Sequence, residues 1–230
     1  MVITLKGNDV TDKNKIVAHP KTNNQKFYMR ALEDGTLPLV IAEGFAGTGK
    51  TYMATNWAAH ALDKSKYDRI VIIRPPEPLA GRTVGFLKGS AQDKMAAWTS
   101  QLIHYVREAI GDKSFDQYIE EERIVVQLLE TVRGMSFNNS IVIVDESQLL
   151  SAKEVQAITT RIGENTKLIF CGDTLQKEKA IDSLDGLSYL KYIIMTYDIH
   201  GEVVKFNVDD CMRSKLCKQF LEAYETDGWK

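Results

Sequence analysis

The stretch Gly44-Phe45-Ala46-Gly47-Thr48-Gly49-Lys50-Thr51 constrains this chain more than any other. It fits G-x-x-x-x-G-K-[ST], a loop whose backbone N–H groups cradle phosphate oxygens. Its flanks suit that geometry. Residues 37–43 (LPLVIAE) are a short apolar run that reads as a buried strand, and residues 52–62 (YMATNWAAHAL) read as a helix. Strand, glycine-rich loop and helix is the order the chemistry needs. The glycines let the backbone bend around an anion without Cβ clashes. The helix N-terminus adds unpaired N–H groups and a partial positive charge at the same point. On this reading Gly44, Phe45, Ala46, Gly47, Thr48 and Gly49 wrap the phosphates of a nucleotide. Lys50 reaches the β- and γ-phosphates, and the Thr51 hydroxyl ligates Mg²⁺. The competing reading is a chance match in a glycine-rich turn.

A second site weighs against chance. Ile141-Val142-Ile143-Val144 reads as a central strand buried on both faces, and it ends in Asp145-Glu146. Two carboxylates at such a tip are costly unless something neutralises them. Mg²⁺ beside a triphosphate does so: Asp145 would hold the metal, through water, and Glu146 would polarise the attacking water. A strand ending in a charged turn is the plain alternative. Kinases whose nucleophile is a second substrate do not need a base here, so the Asp-Glu pair favours hydrolysis.

Other strand tips fall on the same edge of a parallel sheet. Residues 69–74 (RIVIIR) put Arg74 there. Residues 167–171 (KLIFC) lead into Gly172-Asp173-Thr174-Leu175-Gln176, so Asp173 and Gln176 face the same γ-phosphate or form a simple turn. Residues 203–208 (VVKFNV) read as a last strand, followed by Arg213 and a closing helix over 216–224. Further helices are expected over 26–32, 93–110 and 152–161. Residues 115–122 read as a short acidic helix facing solvent, and 124–129 as strand or buried helix, running to Arg133-Gly134. The glycine-punctuated stretch 77–91 holds Phe86 and Leu87, either a satellite core cluster or a contact surface. Gln25 offers a donor and an acceptor that match the adenine N6/N7 edge. It equally suits the capping region of the first helix.

Composition bounds the rest. At 230 residues and 44% hydrophobic, the chain suits one large α/β domain over 1–230. A formal net charge of −2 does not announce a nucleic-acid binder. Residues 1–30 do carry six Lys/Arg against two Asp, a solvated face or a weak basic margin for phosphates. Cys171, Cys211 and Cys217 form no C-x-x-C pair and read as reduced thiols, and the N-terminus lacks a secretory core. With no apolar run of about 20 residues, the expectation is a cytoplasmic protein with no membrane association.

Taken in order, GFAGTGKT, RPPEPLAGRTVGFLKG, VRG, VDESQ, TRIG and GDTLQ resemble the PhoH family of phosphate-starvation-inducible ATPases, including its bacteriophage members. The resemblance covers about residues 20–225 and is specific, because the R-P…G…G-F-L-x-G stretch is not a general P-loop feature. The family is similar to the first motor domain of superfamily 1 helicases, with DESQ here in place of the usual DEAQ. The resemblance implies ATP and Mg²⁺ as cofactors, ATP hydrolysis, an RNA or single-stranded nucleic-acid substrate, and a ring-like, hexameric homo-oligomer. It makes Gln25 the adenine-reading glutamine and Asp173 and Gln176 the third helicase-type motif, with Gln148 and Gln176 sensing the γ-phosphate. Some relatives carry a fused nuclease domain. This length leaves no room for one, so any nuclease activity is expected from a separate partner. The predicted fold is a mostly parallel RecA-like P-loop NTPase sheet with helices on both faces.

The second motor domain that supplies an arginine in such helicases is missing from this reading. Arg161 ends the helix after the acidic strand and is expected on the far side of the sheet, where it could enter a neighbour's site. Arg213 is expected beside its own subunit's nucleotide. The plain alternative for Arg161 is a cation at a helix C-terminus. Nucleic acid is expected along an edge holding Arg74, Gly81–Gly89 and Arg133. A small-molecule kinase and a nucleotide-controlled scaffold are the rival functions.

Overall fold

Six apolar segments pair into one sheet of order β3-β2-β4-β5-β1-β6, every pairing parallel. The computed structural model describes residues 15–75, 91–173 and 185–227, with backbone alone for 91–98. The strands are β1 (Leu39–Gly44), β2 (Arg69–Ile73), β3 (Ile124–Gln127), β4 (Ser140–Val144), β5 (Lys167–Gly172) and β6 (Glu202–Phe206). β4 and β5 occupy the centre, and both are buried along their whole length. That is why they read as unbroken apolar runs rather than as alternating ones.

The alternation exists in space all the same. Val40, Ala42, Ile70, Ile72, Ile141, Ile143 and Ile169 point to one face, where they meet α1 (Asn23–Glu33), α2 (Lys50–Asp63), α3 (Ala91–Ile110) and α4 (Asp112–Glu120). Ile41, Val71, Ile73, Val142, Val144, Leu168 and Phe170 point to the other, under α5 (Ala152–Thr159) and α6 (Gly186–Thr196). The expected helix-covered parallel sheet is therefore the observed one. A final helix, α7 (Lys215–Asp227), buries none of its residues.

One expectation is corrected, and one helix is added. The stretch over 115–122 is not a solvent-facing helix: α4 buries Phe115, Tyr118 and Ile119, spaced i, i+3, i+4 along one face. Arg107 lies over the Phe115 ring at 4.3 Å and Arg123 over Tyr118 at 4.6 Å, so cations cover that stripe. α6 is a helix that the sequence pattern does not announce. Asp185 caps it by accepting from the Ser188 N–H at 2.8 Å, and Leu187, Leu190 and Ile194 form its buried face. The 124–129 stretch resolves as strand followed by a 3-10 turn, Leu129–Gly134.

Capping fixes how α1 and α5 begin. Thr22 and Gln25 form a capping box at α1, and Ser151 and Glu154 form one at α5. Lys167, 1% exposed, donates from Nζ to the Ala31 and Asp34 carbonyls at 2.8 and 2.7 Å, closing the other end of α1. Among the described residues no helix is long and apolar enough to cross a membrane.

Candidate active site

The strand tips converge on a cleft of roughly 610 Å³, within the size range of small-molecule sites. The loop between β1 and α2 forms its floor. Gly44 sits at φ 140, and a Cβ there would lie 2.8 Å from the Phe206 carbonyl carbon. Gly49 adopts a left-handed conformation (φ 88, ψ 9) as N-cap of α2, which aims the first N–H groups of that helix into the cleft. Lys50 is 8% exposed, and its Nζ donates to the Gly44 and Phe45 carbonyls at 2.8 and 2.7 Å. Burial draws its amine down, against the upward pull of Asp173, Cys171, Glu146 and Asp145.

β4 delivers the two carboxylates beside this loop. The Thr51 hydroxyl donates to Asp145 Oδ1 at 2.6 Å. The Asp145 carboxyl, 4% exposed, is pushed up to about 6, first by burial; Thr51 pulls it down and Glu146 pushes it up. Glu146 has a left-handed backbone, φ 50 and ψ 41, a strained state for a residue with a Cβ and one that clusters at functional sites. Gln148 bridges two strands' tips: its Nε2 donates to Glu146 Oε2 at 2.8 Å and its Oε1 accepts from the Asp173 N–H at 3.0 Å. Ser147 donates to the Cys171 carbonyl at 2.9 Å, which locks the turn after β4 onto β5.

Thr51 and Asp145 supply hard oxygen donors, and a cation would relieve the buried carboxylate. The set suits Mg²⁺, which is held by one or two carboxylates together with substrate phosphates. It does not suit an all-protein cage, and among the described residues no group of three or more His, Cys, Asp or Glu could form one.

Gln25 lies at the cleft wall, 3% exposed, with both ends of its amide engaged. Oε1 accepts from the Lys21 and Thr22 N–H groups at 2.7 and 3.3 Å, and Nε2 donates to the Thr48 carbonyl at 3.0 Å. In this arrangement it pins the start of α1 to the phosphate loop. Arg213 lies over the same loop, its side chain against Gly47, beside a Met212 N–H bond to the Gly47 carbonyl at 2.9 Å. Arg161 is remote from the cleft. Its carbonyl accepts from Phe137 N–H at 2.8 Å, below the N-terminal ends of β4 and β5, and its Nη1 donates to the Arg133 carbonyl at 3.1 Å. That contact also corrects the expected clustering of Arg74 with Arg133. The chain after β3 turns back toward the strand N-termini, so Arg133 lies with Arg161 at the far edge, while Arg74 lines the cleft. Gln176 and Gly81–Gly89 with Phe86 and Leu87 lie outside the described residues.

Sequence reasoning missed several residues here. Asp210, 2% exposed, accepts from Thr22 Oγ1 at 2.5 Å and Asn24 Nδ2 at 2.8 Å, tying α1 to the turn after β6. Only its place after a strand could have flagged it. His19, Lys21, Tyr52, Gln101 and Tyr105 line the cleft from segments that carry no motif.

A phosphate loop opening a helix, an acidic pair at the tip of a central strand one strand removed from it and an all-parallel sheet together define a P-loop nucleoside-triphosphatase domain. The chain belongs to the PhoH-like protein family, whose model matches residues 17–225. It is 33% identical over 219 residues to protein PhoH of Escherichia coli (strain K12), covering 94% of this chain and 60% of that protein. It is 31% identical over 210 residues to a PhoH-like protein of Synechocystis sp., covering 91% of this chain and 62% of that one. The chain thus spans about 60% of the length of these curated relatives. Among solved structures, the large terminase of a thermophilic bacteriophage in complex with ADP matches with a TM-score of 0.53 at 12% identity, covering 88% of this chain and 50% of that one. The UvsW helicase of bacteriophage T4 matches at 0.50 and 18%, covering 84% and 64%. At these identities the likeness is one of fold.

Proposed function

We propose that this chain is an Mg²⁺-dependent ATP hydrolase that works on RNA or single-stranded nucleic acid as a helicase-like motor. The observation that carries the reading is the Thr51–Asp145 bond at 2.6 Å, which joins the phosphate loop to the acidic pair. Lys50 exchanges the Gly44 and Phe45 carbonyls for the β- and γ-phosphate oxygens of ATP. Thr51 and Asp145 hold the metal. Mg²⁺ held there would supply positive charge to offset the charge developing on the phosphates in transfer. Glu146 orients a water for in-line attack, and Gln148, bonded to it, reports the third phosphate to Asp173. Gln176 is assigned to the same task. Gln25 reads the adenine edge by giving up its Lys21 and Thr48 partners. Arg213 acts in cis at the phosphates.

The nucleic-acid substrate rests on the ordered motif set and its resemblance to a superfamily 1 motor domain. A homo-hexameric ring, with Arg161 entering a neighbour's site, is part of the same proposal. So is a separate nuclease partner. The test is product analysis after incubation with ATP and Mg²⁺, alone, with RNA and with single-stranded DNA. Free phosphate, released faster with one nucleic acid, is the expected result. A phosphorylated acceptor would favour a small-molecule kinase, and bound but unhydrolysed ATP a nucleotide-controlled scaffold.

A further inference from the structure

Arg74 leaves the tip of β2 and reaches across to the tip of β4. The register explains why it can: Ile73 pairs with Val144, and the Asp145 N–H donates to the Ile73 carbonyl at 2.9 Å. The guanidinium then spans both carboxylates. Nη1 donates to Asp145 Oδ2 at 3.3 Å and Nη2 to Glu146 Oε1 at 3.4 Å. The other two oxygens are taken as well, Asp145 Oδ1 by Thr51 and Glu146 Oε2 by Gln148. Each of the four carboxylate oxygens therefore has a protein donor.

A cation on Asp145 must share that carboxylate with Thr51 and Arg74, and a water on Glu146 must share it with Arg74 and Gln148. Of the three donors, Arg74 alone is charged. A divalent cation and a guanidinium on one carboxylate repel each other, and the Arg74 side chain is only 14% exposed, so solvent screens that repulsion poorly. A metal on Asp145 therefore favours a shift of the Arg74 guanidinium toward another anion of the cleft. The terminal phosphate of a triphosphate seated on Lys50 is such an anion, and a diphosphate lacks it. A planar, two-pronged guanidinium suits phosphate oxygens as well as it suits the two carboxylates.

We propose that Arg74 is the residue by which this site distinguishes a nucleoside triphosphate from a diphosphate: it clamps Asp145 and Glu146 together as seen here and transfers to the γ-phosphate when a triphosphate binds. The transfer frees Glu146 Oε1 for water, so the clamp also keeps the site idle until a triphosphate arrives. This rests on the nucleotide reading above and adds to it a role for a residue that sequence reasoning assigns to a nucleic-acid edge.

The experiment is calorimetric titration of the full chain with ADP and with a non-hydrolysable ATP analogue, both with Mg²⁺, for the parent, Arg74→Ala and Arg74→Lys. The parent should bind the triphosphate analogue more tightly than ADP. Arg74→Ala should lose about ten- to a hundredfold in analogue affinity, the scale of a charged hydrogen-bonded contact, with ADP affinity unchanged or tighter. Arg74→Lys keeps one charge but not the fork, and should fall between them. Equal loss for both nucleotides would make Arg74 merely structural and overturn the proposal. So would unchanged discrimination, including the case where only RNA affinity falls. Should Arg74→Ala fail to fold, Arg74→Lys decides: reduced preference for the analogue supports the transfer, and the parent's full preference overturns it. A parent that binds neither nucleotide overturns the nucleotide reading itself and the proposal with it.

Discussion

Replacing Gly44 by alanine tests how the sheet shapes the phosphate loop. Gly44 is the last residue of β1, paired with Phe206 of β6, at φ 140. That conformation is one alanine avoids, and holding it costs roughly 1–3 kcal/mol. The added Cβ would lie 2.8 Å from the Phe206 carbonyl carbon and 2.9 Å from its Cβ. Carbon contacts settle near about 3.5–4.0 Å, so the tip of β6 must retreat by close to an ångström. The retreat weakens the end of the β1–β6 ladder, about a further 1 kcal/mol. The total is about 2–4 kcal/mol, a large share of a typical domain's stability. The displaced tip also carries the turn that ends in Met212 and Arg213, which rest on Gly47. Gly44→Ala should therefore lower the urea midpoint and weaken nucleotide binding together. A variant with unchanged midpoint and unchanged affinity would refute the link between β6 and the loop.

Two other outcomes follow from particular residues. Burial draws the Lys167 amine from 10.5 down to about 8, so between those values the unfolded chain holds a proton that the folded chain has shed. Stability from this group is present above about 10.5 and lost as pH falls through about 8. The parent should thus gain stability relative to Lys167→Met as pH rises across that window, and a flat difference in urea-unfolding free energy would count against it. For Arg161, far from its own cleft, mixing inactive Lys50→Ala with inactive Arg161→Ala should restore part of the ATPase activity if it acts in trans. No recovery, while the subunits demonstrably exchange, would rule that role out.

The sheet was legible because parallel strands buried on both faces appear as apolar runs, as in Ile141–Val144 and Lys167–Cys171. The phosphate loop was legible because its glycines answer a backbone requirement at fixed spacing. What escaped was whatever depends on the path between elements. The apolar stripe of α4 is three residues among acids, and only the cation-capped rings reveal it as buried. The edge that holds Arg133 is not legible, because a turn signal says where a chain bends and not where it goes next. The sequence admits both capping and base reading for Gln25, and the structure gives it a capping box and a bond to the phosphate loop. The place of Arg74 at a strand tip is legible, but its carboxylate partners come from a strand some seventy residues away, linked only by the sheet register.

The central claim is that Glu146 activates water while Lys50 and the loop hold the nucleotide, and one paired measurement separates these tasks. Phosphate release from ATP with Mg²⁺ and ATP affinity are measured for the parent and for Glu146→Gln. The account predicts that Glu146→Gln keeps ATP affinity close to the parent's while phosphate release falls by at least about a hundredfold, the scale of general-base assistance. Hydrolysis by Glu146→Gln at the parent rate would contradict it.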